Sequence, residues 1–369
     1  MKKTANTIID NSNDDIKLVE SYLLDAVRSQ EVGSRLPSIR QIRQNCKVGQ
    51  SIIDRAIENL RRENILEVRA RAGLYRTSQQ FLPEIKILYF GDLDSLFKPQ
   101  RGYFYYVMVS QLLFQLSDTE RKTKIIKSPG SISSEIYDSL IKSRPCTLVT
   151  VSLKEADVEI FNELSRRGYT VLHLIPDFQE KLPGSMNIDD TELINLQVEY
   201  LVKHGHKQIA YFHCTHPDRW SRAENMRFTA YYQCAMEHGI ELRKEYIVQV
   251  DSSAVGEMQR TQQAAYDLAK LEDPPTAIIL CSDNHARPTY RGLRASGMEP
   301  GRDIAVVGTN NMGICDSYDP SLSSVGFDIE NSLNKFHDMI VGAEAGKIIS
   351  PKKMISKFFE RESTLWYKK

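Results

Sequence analysis

The sequence predicts an α/β protein in two parts: a small N-terminal head of helix, turn, helix and two-stranded ribbon, then a body of two doubly wound lobes. Three observations predict this. Residues 35–76 carry a sharp helix start, a second amphipathic helix and two short strand-like runs around a glycine. From residue 85 onward, short apolar runs alternate with helical patterns, as parallel sheets covered by helices require. The alternation starts afresh near residue 187, which favours two lobes over a single barrel of eight even units.

Taken in order, residues 1–13 are polar and read as a frayed end. Residues 15–30 place Ile16, Val19, Leu23, Leu24 and Val27 on one helical stripe. Ser38 and Gln41 have capping-box spacing, and Pro37 stops any helix arriving from upstream. A helix over 50–63 buries Ile53, Ala56, Ile57 and Leu60 and presents Gln50, Ser51, Asp54, Arg55, Glu58, Arg61 and Arg62. Residues 65–69 and 74–76 form a hairpin around Gly73 with a basic tip. Residues 1–77 are therefore one unit, 78–84 a short polar, proline-containing linker, and 85–369 the body. In the body, strands are expected at 86–90, 124–127, 147–151, 171–174, 208–213, 246–250, 277–281 and 304–308. Helices are expected at 103–116, 134–142, 156–167, 191–204, 224–238, 257–270, 286–295 and 329–345.

At 369 residues the chain exceeds one ordinary core, and 41% hydrophobic with 26% charged residues is a soluble globular composition. No apolar run reaches the length of a membrane span, and the N-terminus lacks the apolar stretch of a signal peptide. The six cysteines are scattered without a CxxC, which reads as reduced, buried thiols in a cytoplasmic protein with no metal site. Net charge is zero, yet residues 1–80 hold 14 Lys/Arg against 10 Asp/Glu. A mildly basic head on a mildly acidic body fits a head that meets nucleic acid and a body that does not.

On shape alone the head has two readings: a reader of the DNA major groove with a flanking ribbon, or a small subdomain whose arginines are merely solvated. The stretch LPSIRQI…VGQSIIDRAIENLRRENILEVRARAG resembles the winged helix-turn-helix pattern of the GntR family over about 45 residues. That resemblance implies a site for double-stranded operator DNA built from Ser38, Arg40, Gln50, Ser51, Arg55, Arg69, Arg71 and Gly73. The family's usual Ser-Arg is Gly49-Gln50 here, and a second common arginine is Asp54. Since Arg reads guanine and Gln suits adenine, the base preference should differ.

In open α/β sheets, ligands bind beyond the carboxyl ends of the strands. The polar residues there are Asp92, Asp94, Ser152, Asp177, Asp189, Asp190, His213, Asp283, Asn310 and Asn311. The segments LVKHGHKQIAYF, RFTAYYQCAMEHGI, PPTAIILCSDNHA, EPGRDIAVVGTNN, DPSLSSVGFD and FFERESTL resemble, in order, the LacI-family effector domain, which has the periplasmic-binding-protein-like fold. A GntR-type head on such a body resembles the arabinose repressor group. The resemblance implies a homodimer, a monosaccharide-type effector in a cleft between the lobes, no cofactor, and release of repression by the effector. It gives Arg227 and Asp283 the task of gripping ligand hydroxyls, with Asn310 in place of a common aspartate. A guanidinium and a carboxylate suit that work, as fixed multiple donor and double acceptor. Asp92 and Asp177 are further effector candidates, and Phe104 and Trp220 could stack on a sugar face. The bland alternatives are an ion pair of Arg227 with Glu224 or a nearby Asp, and a helix-capping role for Asp283. His206, entering a strand, reads as structural.

There is no P-loop, no G-x-S-x-G and no His pair at metal spacing, so an enzyme is not expected. The competing reading is a sugar-binding protein or sugar-active enzyme with a vestigial head. Gly49, Gln50 and Asp54 support it, but it leaves the head unexplained.

Overall fold

Two six-stranded sheets of the same design dominate the protein, seen in a computed structural model that describes residues 3–77, 84–91, 103–117, 121–178, 182–215, 222–251 and 256–365. The sheets follow a three-helix head with a two-stranded ribbon.

In the head, α1 (Lys3–Ser29), α2 (Ile39–Cys46) and α3 (Gln50–Arg62) enclose one apolar cluster. Val19, Leu23, Ile42, Ile53, Ala56 and Leu60 are fully buried in it. The capping box forms as the spacing predicts: Ser38 Oγ accepts from Gln41 N–H at 3.3 Å, and Gln41 Oε1 accepts from Ser38 N–H at 2.8 Å. α2 ends where Lys47 turns left-handed (φ 54°), which swings the chain into α3 after two residues. Strands β1 (Leu66–Arg69) and β2 (Gly73–Arg76) pair antiparallel, and Arg35 bridges to Tyr75 at the ribbon's other edge. The ribbon tip turns through Arg71 (φ 61°) and Gly73 (φ 108°). α1 begins well before the expected residue 15.

The first large sheet comprises β3 (Ile85–Tyr89), β4 (Thr123–Lys127), β5 (Thr147–Val151), β6 (Thr170–Leu174), β7 (Ser185–Asn187) and β13 (Lys352–Lys353), in the order β13-β7-β6-β5-β3-β4. Helices α4 (Tyr103–Ser117), α5 (Ser134–Lys142) and α6 (Val158–Arg166) fall between its strands in sequence. The second comprises β8 (Ile209–Thr215), β9 (Ile247–Asp251), β10 (Ala277–Leu280), β11 (Ala305–Thr309), β12 (Ser323–Phe327) and β14 (Ser356–Phe359), in the order β14-β12-β11-β10-β8-β9. All its pairings are parallel except β12 with β14. Its helices are α7 (Asp190–Lys203), α8 (Arg222–Glu237), α9 (Glu257–Ala269) and α10 (Ala286–Ser296). Then come α11 (Ile329–Glu344) and the short α12 (Glu362–Leu365). Strands such as β5, β10 and β11 are buried along their whole length and are rich in apolar residues, as covered strands are.

By contacts, the chain divides into two units: residues 1–93, 113–185 and 336–351, and residues 94–112, 186–335 and 352–369. The head thus packs with the first sheet instead of standing apart. Glu20 of α1 is buried (4% exposed), accepting from Asn59 Nδ2 of α3 at 2.8 Å and from Arg144 Nε, just before β5, at 3.2 Å. Arg144 also pairs with Glu63, and Lys17 Nζ donates to the Ile141 carbonyl at 2.8 Å.

Candidate functional site

Two places in the molecule concentrate polar side chains whose packing does not demand them. One is the exposed face of the head. The other lies inside the second unit, at the carboxyl end of β8.

On the head, α3 turns its apolar stripe inward and leaves Gln50, Ser51, Asp54 and Arg55 exposed. Further along, Glu58 accepts from Arg61 at 2.9 Å and Arg62 at 3.0 Å, which offsets one of the two positive charges; those bonds hold its carboxyl below the usual range. Arg40, Arg55 and Arg71 are exposed and have no ion pair among the described residues. Arg69 is engaged already, with Glu67 at 2.6 Å and over the Tyr75 ring at 4.1 Å. Gln50 is held between Arg43, which donates to its Oε1, and Asp54, which accepts from its Nε2 at 2.7 Å. Ser38 is spent on its cap. Gly73 has its φ of 108° with the Arg35 guanidinium 3.4 Å from where a Cβ would stand. Arg43 was not among the residues singled out from the sequence.

In the second unit, Arg227 of α8 is 6% exposed. Its Nε donates to Asp190 Oδ1 at 2.8 Å, and its Nη1 lies 3.6 Å from Glu224 Oε1. Burial works against its charge, yet Asp190 and Glu224 hold its pKa above the usual range. Burial pushes the Glu224 carboxyl up, against the pull of Arg227. Tyr211 of β8 lies near the same charges, and His213 stands two residues further along the strand. Tyr211 is fully buried and His213 3% exposed, and neither Tyr211 Oη nor His213 Nδ1 has a hydrogen-bond partner among the described residues. Burial lowers the His213 pKa, so the ring is neutral near pH 7. Phe228 stacks on His213 with centroids 4.3 Å apart. Nearby, His285 Nε2 is 2.8 Å from Glu257 Oε1 and its Nδ1 is 3.3 Å from Cys281 Sγ. Buried orphan polar atoms are uncommon and cost free energy.

Asp283 takes a different place. It is fully buried, with Oδ2 accepting from Met312 N–H at 2.6 Å and Oδ1 from Ser324 Oγ at 2.7 Å, while its carbonyl accepts from Tyr318 Oη at 3.1 Å. Burial raises its pKa to about 7, against those hydrogen bonds. It therefore anchors the loop after β11, and it neither caps α10 nor shares a partner with Arg227. Asn310 and Asn311 both adopt positive φ (95° and 45°) in that loop, and a Cβ on Gly326 would stand 2.5 Å from Asn311 Cβ. Asp177 is exposed and pairs with Lys154. Phe104 packs against Phe327 at 5.4 Å and Tyr105 at 5.5 Å. Asp92 and Trp220 lie outside the described residues. His206 is 2% exposed, its Nδ1 3.0 Å from Thr276 Oγ1, in the structural role its position suggests. A groove between α9 and α10, lined by Met258, Gln262, Arg287, Arg291, Ile314 and Tyr318, shares no residue with the Arg227 cluster. Among the described residues no group of His, Cys, Asp and Glu is arranged to hold a metal, and no helix is long and apolar enough to cross a membrane.

The fold is therefore a helix–turn–helix–ribbon head joined to a two-sheet α/β body with a buried charged cluster. Residues 19–75 match the family described as "Bacterial regulatory proteins, gntR family", and residues 198–364 match "Periplasmic binding protein-like domain". The chain carries a GntR-type head and a periplasmic-binding-protein-like domain. It is 25% identical over 194 residues to the Probable HTH-type transcriptional repressor ExuR of Bacillus subtilis, covering 53% of this chain and 56% of that protein. It is 26% identical over 141 residues to Catabolite control protein A of Priestia megaterium, covering 38% and 41%. The chain thus spans about half the length of the curated relatives it matches. A LacI-family regulator structure from Rhizobium etli superposes with a TM-score of 0.61 at 19% identity, over 76% of this chain and 98% of that one. The lac repressor dimer bound to operator and anti-inducer gives 0.57 at 17% identity, over 78% and 96%. At those identities the likeness establishes the fold.

Proposed function

We propose that this protein is a bacterial transcriptional regulator, a repressor acting as a homodimer on operator DNA and modulated by a small sugar-type effector bound in the second unit. The observation that carries this reading is the head: a GntR-type helix–turn–helix whose α3 presents a polar face, flanked by Arg40, Arg55 and Arg71, which have no ion pair among the described residues. An α-helix of this kind fits the major groove and a basic ribbon its flank. Two heads of a dimer would address half-sites about one helical turn apart, so the operator is expected to be pseudo-palindromic. The relatives' printed names, transcriptional repressors among them, support the same class.

The effector is assigned to Arg227, Asp190, Tyr211 and His213. A buried guanidinium shared with two carboxylates offers fixed donors and acceptors to vicinal hydroxyls, and low local polarity strengthens each bond. Asp283 enters this reading as the anchor of the adjoining loop. An effector can shift the DNA-binding equilibrium only by its different affinity for the two states of the protein. Repression is tested by selecting binders from a pool of duplexes with randomised centres, then titrating salt. A phosphate-led contact gives log K falling linearly with log salt, with a slope of about −0.9 for each neutralised phosphate. An affinity indifferent to salt, with no duplex enriched, contradicts the proposal.

A further inference from the structure

The side chains at the start of α3 form a chain of hydrogen bonds that folding does not need. Arg43, on the last turn of α2, donates to Gln50 Oε1; Gln50 Nε2 donates to Asp54 Oδ1 at 2.7 Å. All three residues are exposed, on the side of the helices away from the apolar cluster. The left-handed Lys47 and the short turn after it bring Arg43 opposite the first residue of α3.

A glutamine amide ordinarily turns over between two orientations of similar energy. Here it is fixed from both ends. A guanidinium only donates, so the amide oxygen must face Arg43; a carboxylate only accepts, so the amide nitrogen must face Asp54. Each clamp uses one capacity of the amide. One lone pair on Oε1 and one N–H on Nε2 are left over. Those are the two groups that adenine N6–H and N7 require in the major groove. The clamp also removes the rotamer freedom an exposed glutamine would lose on binding. Asp54 alone would repel the phosphate backbone; the positive charge of Arg43 in the same chain offsets it.

Resting on the DNA-binding reading above, we infer that Arg43 and Asp54 are positioning residues that hold Gln50 in the orientation that selects adenine, making the three a single specificity device. Gln50 touches the base. Arg43 and Asp54 act through it.

The test uses the full-length protein and the pool of duplexes with randomised centres. The enriched duplex is then compared with versions carrying each other base at single positions, over a range of KCl. Wild type should prefer adenine at one position per half-site by about 10-fold or more, the size of one good bidentate contact. Gln50→Arg should move that preference to guanine. Arg43→Ala and Asp54→Ala should each cut the preference to within about 3-fold while leaving the salt slope unchanged, because no phosphate contact is lost. Arg43→Lys, which retains a donor for Oε1, should restore part of it. Arg43→Ala weakening all duplexes equally, with the salt slope reduced by about one, would make Arg43 a phosphate contact and overturn the inference. A wild-type preference for guanine that Arg43→Ala abolishes would make Arg43 itself the reader, and would also overturn it. Failure of the wild type to enrich any duplex would instead sink the DNA-binding reading, and the inference with it. Unchanged melting temperatures of the variants show that the head still folds.

Discussion

The two large sheets share one strand order, second-first-third-fourth-fifth with a late strand closing the edge, yet they differ in what stands at the carboxyl ends of their strands. In the first, the charged pair found there is Lys154 with Asp177, both exposed. In the second, Arg227, Asp190 and Glu224 form a buried cluster, with Tyr211 Oη and His213 Nδ1 left without partners among the described residues. The contrast is that one strand order leaves an exposed pair beyond the first sheet and a buried charged cluster beyond the second, so topology alone does not decide where charge is buried.

Mutations at the two sheets should therefore differ in size. Arg227→Ala leaves Asp190 and Glu224 buried without their cation, and should destabilise the second unit by about 3–5 kcal/mol. Denaturant melts check this, with Arg227→Lys alongside to keep the charge. A loss below 1 kcal/mol would mean that water reaches the cluster.

The next effect is a pH response of opposite sign in the two sheets. Asp283, in the second, has its folded pKa raised to about 7, above its unfolded value. Between roughly pH 4 and 7 the folded state then binds more protons, so this group's contribution to stability falls as pH rises, by at most about 1.4 kcal/mol per unit. Asp283→Asn should flatten that slope. His173, in the first sheet, has its pKa lowered by burial to about 4, and its Nδ1 lies 2.8 Å from Thr150 Oγ1. There the unfolded state binds more protons between about pH 4 and 6.5, so its contribution rises with pH over that window. His213 acts in the second sheet with the same sign as His173, which is why the Asp283→Asn comparison is needed to isolate the carboxylate. Hydrogen exchange of the strand amides, followed from pH 4 to 8, reads each sheet separately. Slopes of one sign in both sheets, unaltered by Asp283→Asn, would contradict the burial argument. The smallest effect belongs to the surface pair: Lys154→Ala should change stability by less than about 1 kcal/mol.

How much of this could be read from the sequence follows from which interactions are local. The capping box, the α3 stripe and eight of the body strands were visible as spacing, because each depends on neighbours within a few residues. β12 was missed. Its Ser323-Ser324-Val325-Gly326 run looks like a turn, yet all of it is buried. Its hydroxyls are taken up at long range, Ser323 Oγ beside Thr364 Oγ1 at 2.7 Å and Ser324 on Asp283 at 2.7 Å. The four-residue β14 and the three-residue β7 were missed because runs so short carry no readable alternation. At the candidate site, the sequence singles out Arg227 and Asp283; the ion pair of Arg227 with Asp190 and the hydrogen bonds of Asp283 to Met312 and Ser324 join residues far apart in the chain and are not legible there. Tyr211 and His213 sat in view as polar tips two residues apart in an apolar strand; only the packing shows that Tyr211 Oη and His213 Nδ1 lack partners among the described residues. The head packing through Glu20 and Arg144, 124 residues apart, left no local trace.

The most direct measurement is the affinity of the full chain for its selected duplex, by fluorescence anisotropy, while neutral pentoses and hexoses are added one at a time to wild type, Arg227→Lys and Asp190→Asn. The expected result is that one sugar weakens wild-type DNA binding by about 5–150-fold, the usual range of allosteric coupling, and that both variants bind the duplex normally but no longer respond. A sugar response that survives both substitutions would place the effector elsewhere. The absence of any response in wild type would contradict the sensor assignment of the buried Arg227 cluster.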